Sequence, residues 1–316
     1  MTTSQQCSLP EKGLGHLDES YGDGDGGPKA TKGSDFKTVV FPQSIFAIAG
    51  VMSAAAPVAV AEDDELPGWW EVARRVPLML AWVWLHLLVE DIANQRLEGA
   101  IIEDSNNKPW RPLPSKRITP EEARRWLLMA IPVAVGASAW LGALRSSLCL
   151  MVLVWMYNDL DGSGSDIWLR NALNAGGLMC FSWGALAVLA QGEGQLQRRA
   201  YEWILLTGAV VMTTVHAQDF PDLEGDMARG RRTIPLLHGE GPARGSLAVM
   251  VVAWSIACPA FWGAALWSWA GPLSIGCAMA VLTLMRWGQW WDEVVWKLWC
   301  LWAASLYLLP MFAEAA

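Results

Sequence analysis

His216-Ala217-Gln218-Asp219-Phe220-Pro221-Asp222-Leu223-Glu224-Gly225-Asp226 follows an apolar run, Ile204 to Val215, almost without a break. Asp219, Asp222 and Asp226 stand at i, i+3 and i+7, a spacing that puts three carboxylates on one face of a helix. Like charges stacked in this way repel, so the arrangement calls for a compensating cation. With no Cys and a single His nearby, the donors suit a hard, oxygen-seeking ion such as Mg2+ better than zinc. Arg229-Gly230-Arg231-Arg232, just downstream, is a cluster suited to phosphate oxygens. The competing reading is a solvated acidic helix end, but a solvated face seldom emerges directly from an apolar run.

That run is one of many. Of the 316 residues, 53% are hydrophobic and 21 are Trp, and the mean hydropathy is positive. Such a chain is too apolar for an ordinary soluble domain. Runs of about 20 apolar residues recur, the length a helix needs to cross a bilayer. Because backbone groups in lipid must be satisfied locally, the expected fold is an all-α, polytopic membrane helical bundle. Nine apolar segments are expected, at roughly 39–61, 70–93, 123–144, 147–160, 171–190, 202–218, 246–268, 270–286 and 294–313, with the seventh and eighth parted only by Ala270-Gly271-Pro272. Residues 1–36 are polar and Gly-rich and are expected to be a disordered tail, leaving 37–316 as the membrane domain. With no early apolar region, the first membrane helix is expected to serve as its own targeting signal.

The net charge of −8 argues against nucleic acid as a partner. It also poses a problem for an anionic substrate, which a metal ion would solve. The six Cys show no CxxC spacing and read as small buried hydrophobes. Basic residues concentrate between segments two and three (Arg96 to Arg125) and between six and seven (Arg229 to Arg244). By the positive-inside rule, both loops and the N-terminal tail face the cytosol.

Segment two repeats the logic of segment six. It ends in Glu90-Asp91-Ile92-Ala93-Asn94-Gln95-Arg96-Leu97-Glu98 and runs on through Glu103-Asp104 to Asn107-Lys108-Pro109-Trp110-Arg111-Pro112. Again an apolar helix exits into carboxylates and then into Lys and Arg. Two such sets on one membrane face can hold Mg2+ ions that bridge to a diphosphate, with Lys108, Arg111, Arg231 and Arg232 neutralising the remaining charge.

With these two motifs the chain resembles the UbiA superfamily of intramembrane prenyltransferases. The resemblance rests on Asp219-Phe220-Pro221-Asp222-Leu223-Glu224-Gly225-Asp226, on Gly230-Arg231-Arg232-Thr233-Ile234-Pro235, and on Asn107-Lys108-Pro109-Trp110-Arg111-Pro112-Leu113-Pro114. It implies about nine transmembrane helices around a central apolar cavity, with Asp-rich cytosolic loops after helices two and six. The first motif departs from the usual Asn-Asp-x-x-Asp-x-x-x-Asp. Asp104 holds the last Asp, but the middle one would fall on Ala100 and the first pair on Arg96-Leu97. Asn94, Glu98 and Glu103 stand nearby instead, as if the loop were two residues longer. The resemblance implies metal ligation by Asp104, Asp222 and Asp226, with Asn94, Glu98, Glu103 and Asp219 completing the set. The altered motif looks like the fungal branch of UbiA-type terpene cyclases, which ionise a prenyl diphosphate and cyclise the cation within one molecule. The family's Tyr-x-x-x-Lys is altered too: Tyr157 is present, but position 161 is Asp161.

The implied chemistry draws charge onto a leaving diphosphate and shelters the carbocation in a dry cavity. Aromatic faces stabilise such a cation, and Phe46, Trp82, Trp84, Trp155 and Tyr157 are the candidates. His86, one turn before Glu90 in segment two, is a candidate proton acceptor for the final step. His216 is placed to orient Asp219, and Asn158, Asn171 and Asn174 to line the diphosphate site. The expected enzyme is a terpene cyclase acting on farnesyl or geranylgeranyl diphosphate in an endoplasmic-reticulum membrane. The alternatives are an aromatic prenyltransferase and a non-catalytic transporter or lipid-binding protein. Internal repeats of broken midplane helices, expected of the transporter, are not evident.

Overall fold

The computed structural model describes residues 36–53 and 68–313. Apart from Phe36, the expected polar tail lies outside them, as does the first apolar segment beyond residue 53. The described residues form thirteen α-helices joined by short 3-10 and irregular stretches, and no strands. In chain order these are α1 (Phe41–Val51), α2 (Trp69–Gln95), α3 (Glu98–Asn107), α4 (Pro120–Leu141), α5 (Leu144–Asn158), α6 (Gly162–Ser165) and α7 (Ile167–Leu189). They continue as α8 (Arg198–Thr214), α9 (Leu223–Arg229), α10 (Ile234–His238), α11 (Glu240–Trp262), α12 (Ala270–Met285) and α13 (Gln289–Tyr307).

Each of the nine apolar segments overlaps one of the longer helices. Four helical stretches, Trp69–Gln95, Ile167–Leu189, Glu240–Trp262 and Leu266–Met285, are long and apolar enough to cross a bilayer by length and composition. The outer surface agrees. Trp69, Trp70, Trp84, Trp126, Trp140, Trp155, Trp168, Trp267, Trp287 and Trp290 are all more than half exposed. An apolar exterior of this extent belongs in lipid, and the protein is an integral membrane protein.

Local chemistry sets the helix ends. Thr119 and Glu122 form a capping box at the start of α4, the Thr119 amide donating to Glu122 Oε2 at 2.8 Å and the Glu122 amide to Thr119 Oγ1 at 3.2 Å. Asp166 Oδ1 accepts from the amides of Trp168 and Leu169 and so starts α7. One boundary differs from expectation. The break between segments seven and eight lies at Gly263, in the left-handed region at φ 56°, and not at Ala270-Gly271-Pro272. Proline is tolerated in a first helical turn, so α12 begins at Ala270 and carries Pro272 there.

The bundle is organised around α7, which packs against α1, α2, α5 and α8. On the other side, α11, α12 and α13 pack in sequence, α11 reaching α8 and α13 reaching α1. The closest approach of α2 to α7 needs a glycine. A Cβ on Gly184 would fall 2.0 Å from the end of the buried Trp82 ring. Gly184→Ala is therefore expected to cost about 1–3 kcal/mol through overpacking, read as a lower melting temperature in detergent. An unchanged melting temperature would mean that the Trp82 ring has room to move.

Trp82 also donates from Nε1 to Ser138 Oγ at 2.8 Å. The same hydroxyl lies 3.4 Å from His86 Nε2, which is 2.7 Å from Ser147 Oγ, while His86 Nδ1 lies 2.8 Å from the Trp82 carbonyl. The ring of His86 is thus fully buried and engaged at both nitrogens, tying α2 to α4 and α5.

Candidate active site

The two acidic stretches meet because α3 packs against α9. Neither has the shape that spacing alone suggests. The first stretch is helical: α2 ends at Gln95, and α3 starts three residues later and carries Glu98 and Asp104 on one short helix. Glu98 sits exposed at its start, whereas Asp104 is buried. Asn94 lies half-buried in the last turn of α2, and the Glu103 side chain lies outside the described residues.

The second stretch is broken. A 3-10 turn, Val215–Gln218, ends α8, and α9 does not begin until Leu223. The three carboxylates therefore do not share one helix face. Phe220 precedes Pro221, and the residue before a proline is disfavoured in helical conformation. As a result Asp219 and Asp226 are buried, while Asp222, at the N-cap of α9, is exposed.

Each buried carboxylate has its own arginine. Arg111 Nη1 donates to both oxygens of Asp104, at 2.9 and 2.8 Å. Arg231 Nη1 donates to Asp226 Oδ1 at 3.1 Å. Arg170 Nη2 lies 2.9 Å from Asp219 Oδ1, an ion pair without hydrogen-bond alignment. Arg170 is the residue that sequence reasoning missed. It sits in the first turn of α7, just outside the expected fifth segment, yet is almost fully buried. A lone cation among Ile167, Trp168, Leu169 and Leu173 was the available signal, since ionisable groups inside a membrane helix are costly. Its charge also acts on Tyr157 and Asp226. Tyr157, half-buried near the end of α5, therefore stands within electrostatic reach of the site.

Other expected residues divide clearly. Lys108 is half-buried after α3, and Arg232 is exposed. Asn158 is buried but donates to the Val154 carbonyl of its own helix at 2.9 Å. His216 Nε2 lies 3.2 Å from the Ala243 carbonyl and 3.3 Å from Ser246 Oγ, so its ring is tied to α11. Phe46 and Trp82 lie inside the bundle, but Trp84 and Trp155 are 63% and 53% exposed and face away from the interior. On a helix, positions 82 and 84 are about 200° apart and cannot both point inward.

The second motif is braced from behind. Arg244 of α11 donates to both oxygens of Asp292 on α13, at 2.6 and 2.8 Å, and to Glu240 at 3.2 and 3.1 Å. Its guanidinium lies over the Phe220 ring at 4.3 Å. Gln289, at the start of α13, donates to the Pro221 carbonyl at 3.0 Å. These contacts hold the Asp219–Asp222 turn from outside the acidic pocket.

The carboxylates fit a magnesium ion that is completed by its substrate. Neither oxygen of Asp219, nor Oδ2 of Asp226, has a hydrogen-bond partner among the described residues. Burial pushes the Asp219 carboxyl up to about 6, with Arg170 acting in the opposite direction. Among the described residues no three His, Cys, Asp or Glu side chains come together closely enough to hold an ion by themselves. Mg2+ commonly keeps several waters and takes only one or two carboxylates alongside substrate phosphates.

The UbiA prenyltransferase family model matches residues 45–309. The chain belongs to the UbiA prenyltransferase family. It is 36% identical over 181 residues to the fumagillin beta-trans-bergamotene synthase of Aspergillus fumigatus, covering 57% of this chain and 61% of that enzyme. It is 32% identical over 292 residues to the somaliensene A/B synthase of Streptomyces somaliensis, covering 87% and 90%. Both relatives are terpene synthases, in agreement with the branch that the altered first motif resembles. The fold matches a UbiA homologue from Archaeoglobus fulgidus bound to GPP and Mg2+, with a TM-score of 0.55 at 13% identity over 87% of this chain and 98% of that one. The sequence and fold comparisons thus agree on the UbiA family.

Proposed function

We propose that this enzyme ionises a linear prenyl diphosphate, farnesyl or geranylgeranyl, and cyclises the resulting carbocation to a terpene. The observation that supports this most is the pairing of buried carboxylates with arginines where α3 meets α9. Asp104, Asp219 and Asp226 would hold Mg2+, joined at the rim by Asn94, Glu98 and Asp222, with Glu103 a further proposed ligand. When bound, the ion supplies positive charge to the diphosphate oxygens as the C–O bond breaks. Arg111 and Arg231 lie beside the carboxylates and are placed to take diphosphate oxygens, with Lys108 and Arg232 at the entrance. Tyr157 interacts electrostatically with Arg170 and so stands within reach of this charge cluster. Phe46 and Trp82 are interior aromatic groups of the kind that stabilises a carbocation. His86 remains the proposed proton acceptor, its buried ring held between the Ser147 hydroxyl and the Trp82 carbonyl. The basic loops support a site on the cytosolic face of an internal membrane, which we assign to the endoplasmic reticulum.

The test is turnover without an acceptor. Membranes containing the protein, given Mg2+ and farnesyl or geranylgeranyl diphosphate alone, are expected to release a cyclic hydrocarbon or alcohol, detected by gas chromatography and mass spectrometry. Product formed only when an aromatic or quinone acceptor is added would replace this reading with prenyl transfer.

A further inference from the structure

Arg170 is an incomplete ion pair. A guanidinium carries five N–H donors. Only Nη2 faces Asp219; Nε and Nη1 are buried and have no hydrogen-bond partner among the described residues. That leaves three donor hydrogens without an acceptor among the described residues, a costly state for a buried cation. One turn further along α7, at i+4 and so on the same face, Asn174 Nδ2 is also buried and without a partner. Between them, Asn171 is fixed by its Nδ2, which donates to the Met212 carbonyl of α8 at 3.3 Å. Apart from the Arg170 ion pair, both oxygens of Asp219 likewise lack partners among the described residues. The face of α7 next to the acidic cluster therefore offers a cation with open donors and an amide donor, which no acceptor among the described residues receives. What matches is an anion with several oxygens.

We infer that Arg170 and Asn174 bind the diphosphate of the substrate, and that Asp219 holds Arg170 in place until that diphosphate arrives. This rests on the prenyl diphosphate reading and adds an exchange of partners to it. In the ligand-free enzyme Asp219 and Arg170 neutralise each other. When substrate binds, Arg170 turns its open donors to phosphate oxygen and Asp219 is released to the metal. Charge balance is kept in both states, so neither charge is left buried and unpaired. Metal and diphosphate then bind cooperatively, because each removes the other's competitor.

The experiment measures inorganic pyrophosphate binding by calorimetry to the purified full-length protein in lipid nanodiscs. Wild-type protein with Mg2+ is the reference; no pyrophosphate binding there would overturn the diphosphate reading itself. Without metal, Asp219→Asn is expected to bind pyrophosphate roughly tenfold more tightly than wild type, because Arg170 is freed. Adding Arg170→Gln to that variant is expected to abolish the gain. Equal metal-free affinity in wild type and Asp219→Asn, or a gain that survives Arg170→Gln, would overturn the inference. Should Asp219→Asn fail to fold, two further variants carry the test in the presence of Mg2+. Arg170→Lys keeps the charge beside Asp219 but loses the fork, and is expected to weaken pyrophosphate binding about tenfold. Asn174→Leu removes a buried donor that has no partner among the described residues, so it is expected to leave the melting temperature unchanged or raised while weakening pyrophosphate severalfold. A purely structural role for these residues would instead lower the melting temperature and leave the affinity unchanged.

Discussion

Asp226→Asn is expected to reduce turnover on the order of 10^3-fold while leaving the protein folded. Asp226 is nearly inaccessible; Arg231 engages its Oδ1, and Oδ2 has no hydrogen-bond partner among the described residues. The amide keeps the shape and can still accept from Arg231, so the packing of α9 is preserved. It loses the negative charge, and with it most of the affinity of a carboxylate for a hard cation. The checks are product formation from the prenyl diphosphate and the intrinsic fluorescence melt of the same preparation. Retained turnover would remove Asp226 from the proposed metal site. The same logic extends to Asp104, whose two oxygens share one arginine nitrogen. The exposed Asp222 makes a sharper comparison, because a smaller loss there would confirm that burial separates the central ligands from the rim.

The second large effect is on stability. Asp292→Ala is expected to destabilise the protein by about 3–5 kcal/mol, because Arg244 would remain buried with its principal partner gone. Glu240 still reaches the guanidinium, but that carboxylate is roughly half exposed and compensates only in part. Arg244 also spans α11 and α12 through the Thr283 carbonyl at 3.2 Å and supports Phe220 in the second motif. Activity should therefore fall together with the melting temperature, although neither Arg244 nor Asp292 touches substrate in the proposed mechanism. Replacing both members, as Arg244→Met with Asp292→Leu, is expected to recover most of the stability, since no buried charge is then left alone. If Asp292→Ala melts as wild type does, this pair is not what locks α13 to α11.

Much of the molecule can be read along the chain. Helical class, membrane residence, the rough position of each long apolar helix and the two acidic exits all follow from local composition and spacing. The alternation of apolar helices with basic loops carries the proposed orientation. Even the branch of the family was legible in Asn94-Gln95, Glu103-Asp104 and Asn107 to Pro112, because a motif is a local property.

Other features escaped that reading because they depend on contacts between elements far apart in sequence. The carboxylates at 219, 222 and 226 look equivalent by spacing, yet Pro221 breaks the helix and buries two of them while exposing the third. Of the Trp residues, the sequence cannot sort Trp82 from Trp84, but helical phase and the packing of α2 on α7 send one inward and the other toward lipid. Arg170 and Asp219 stand 49 positions apart, and Arg244 and Asp292 stand 48 apart. By itself, then, the sequence determined a membrane-embedded helical enzyme with two acidic motifs, because hydrophobic length and charge spacing act locally. Tertiary structure decided which carboxylates are buried, and it gave each buried one an arginine. Only packing could bring α7 to the end of α8 and set a cation with open donors where position 161 offers none.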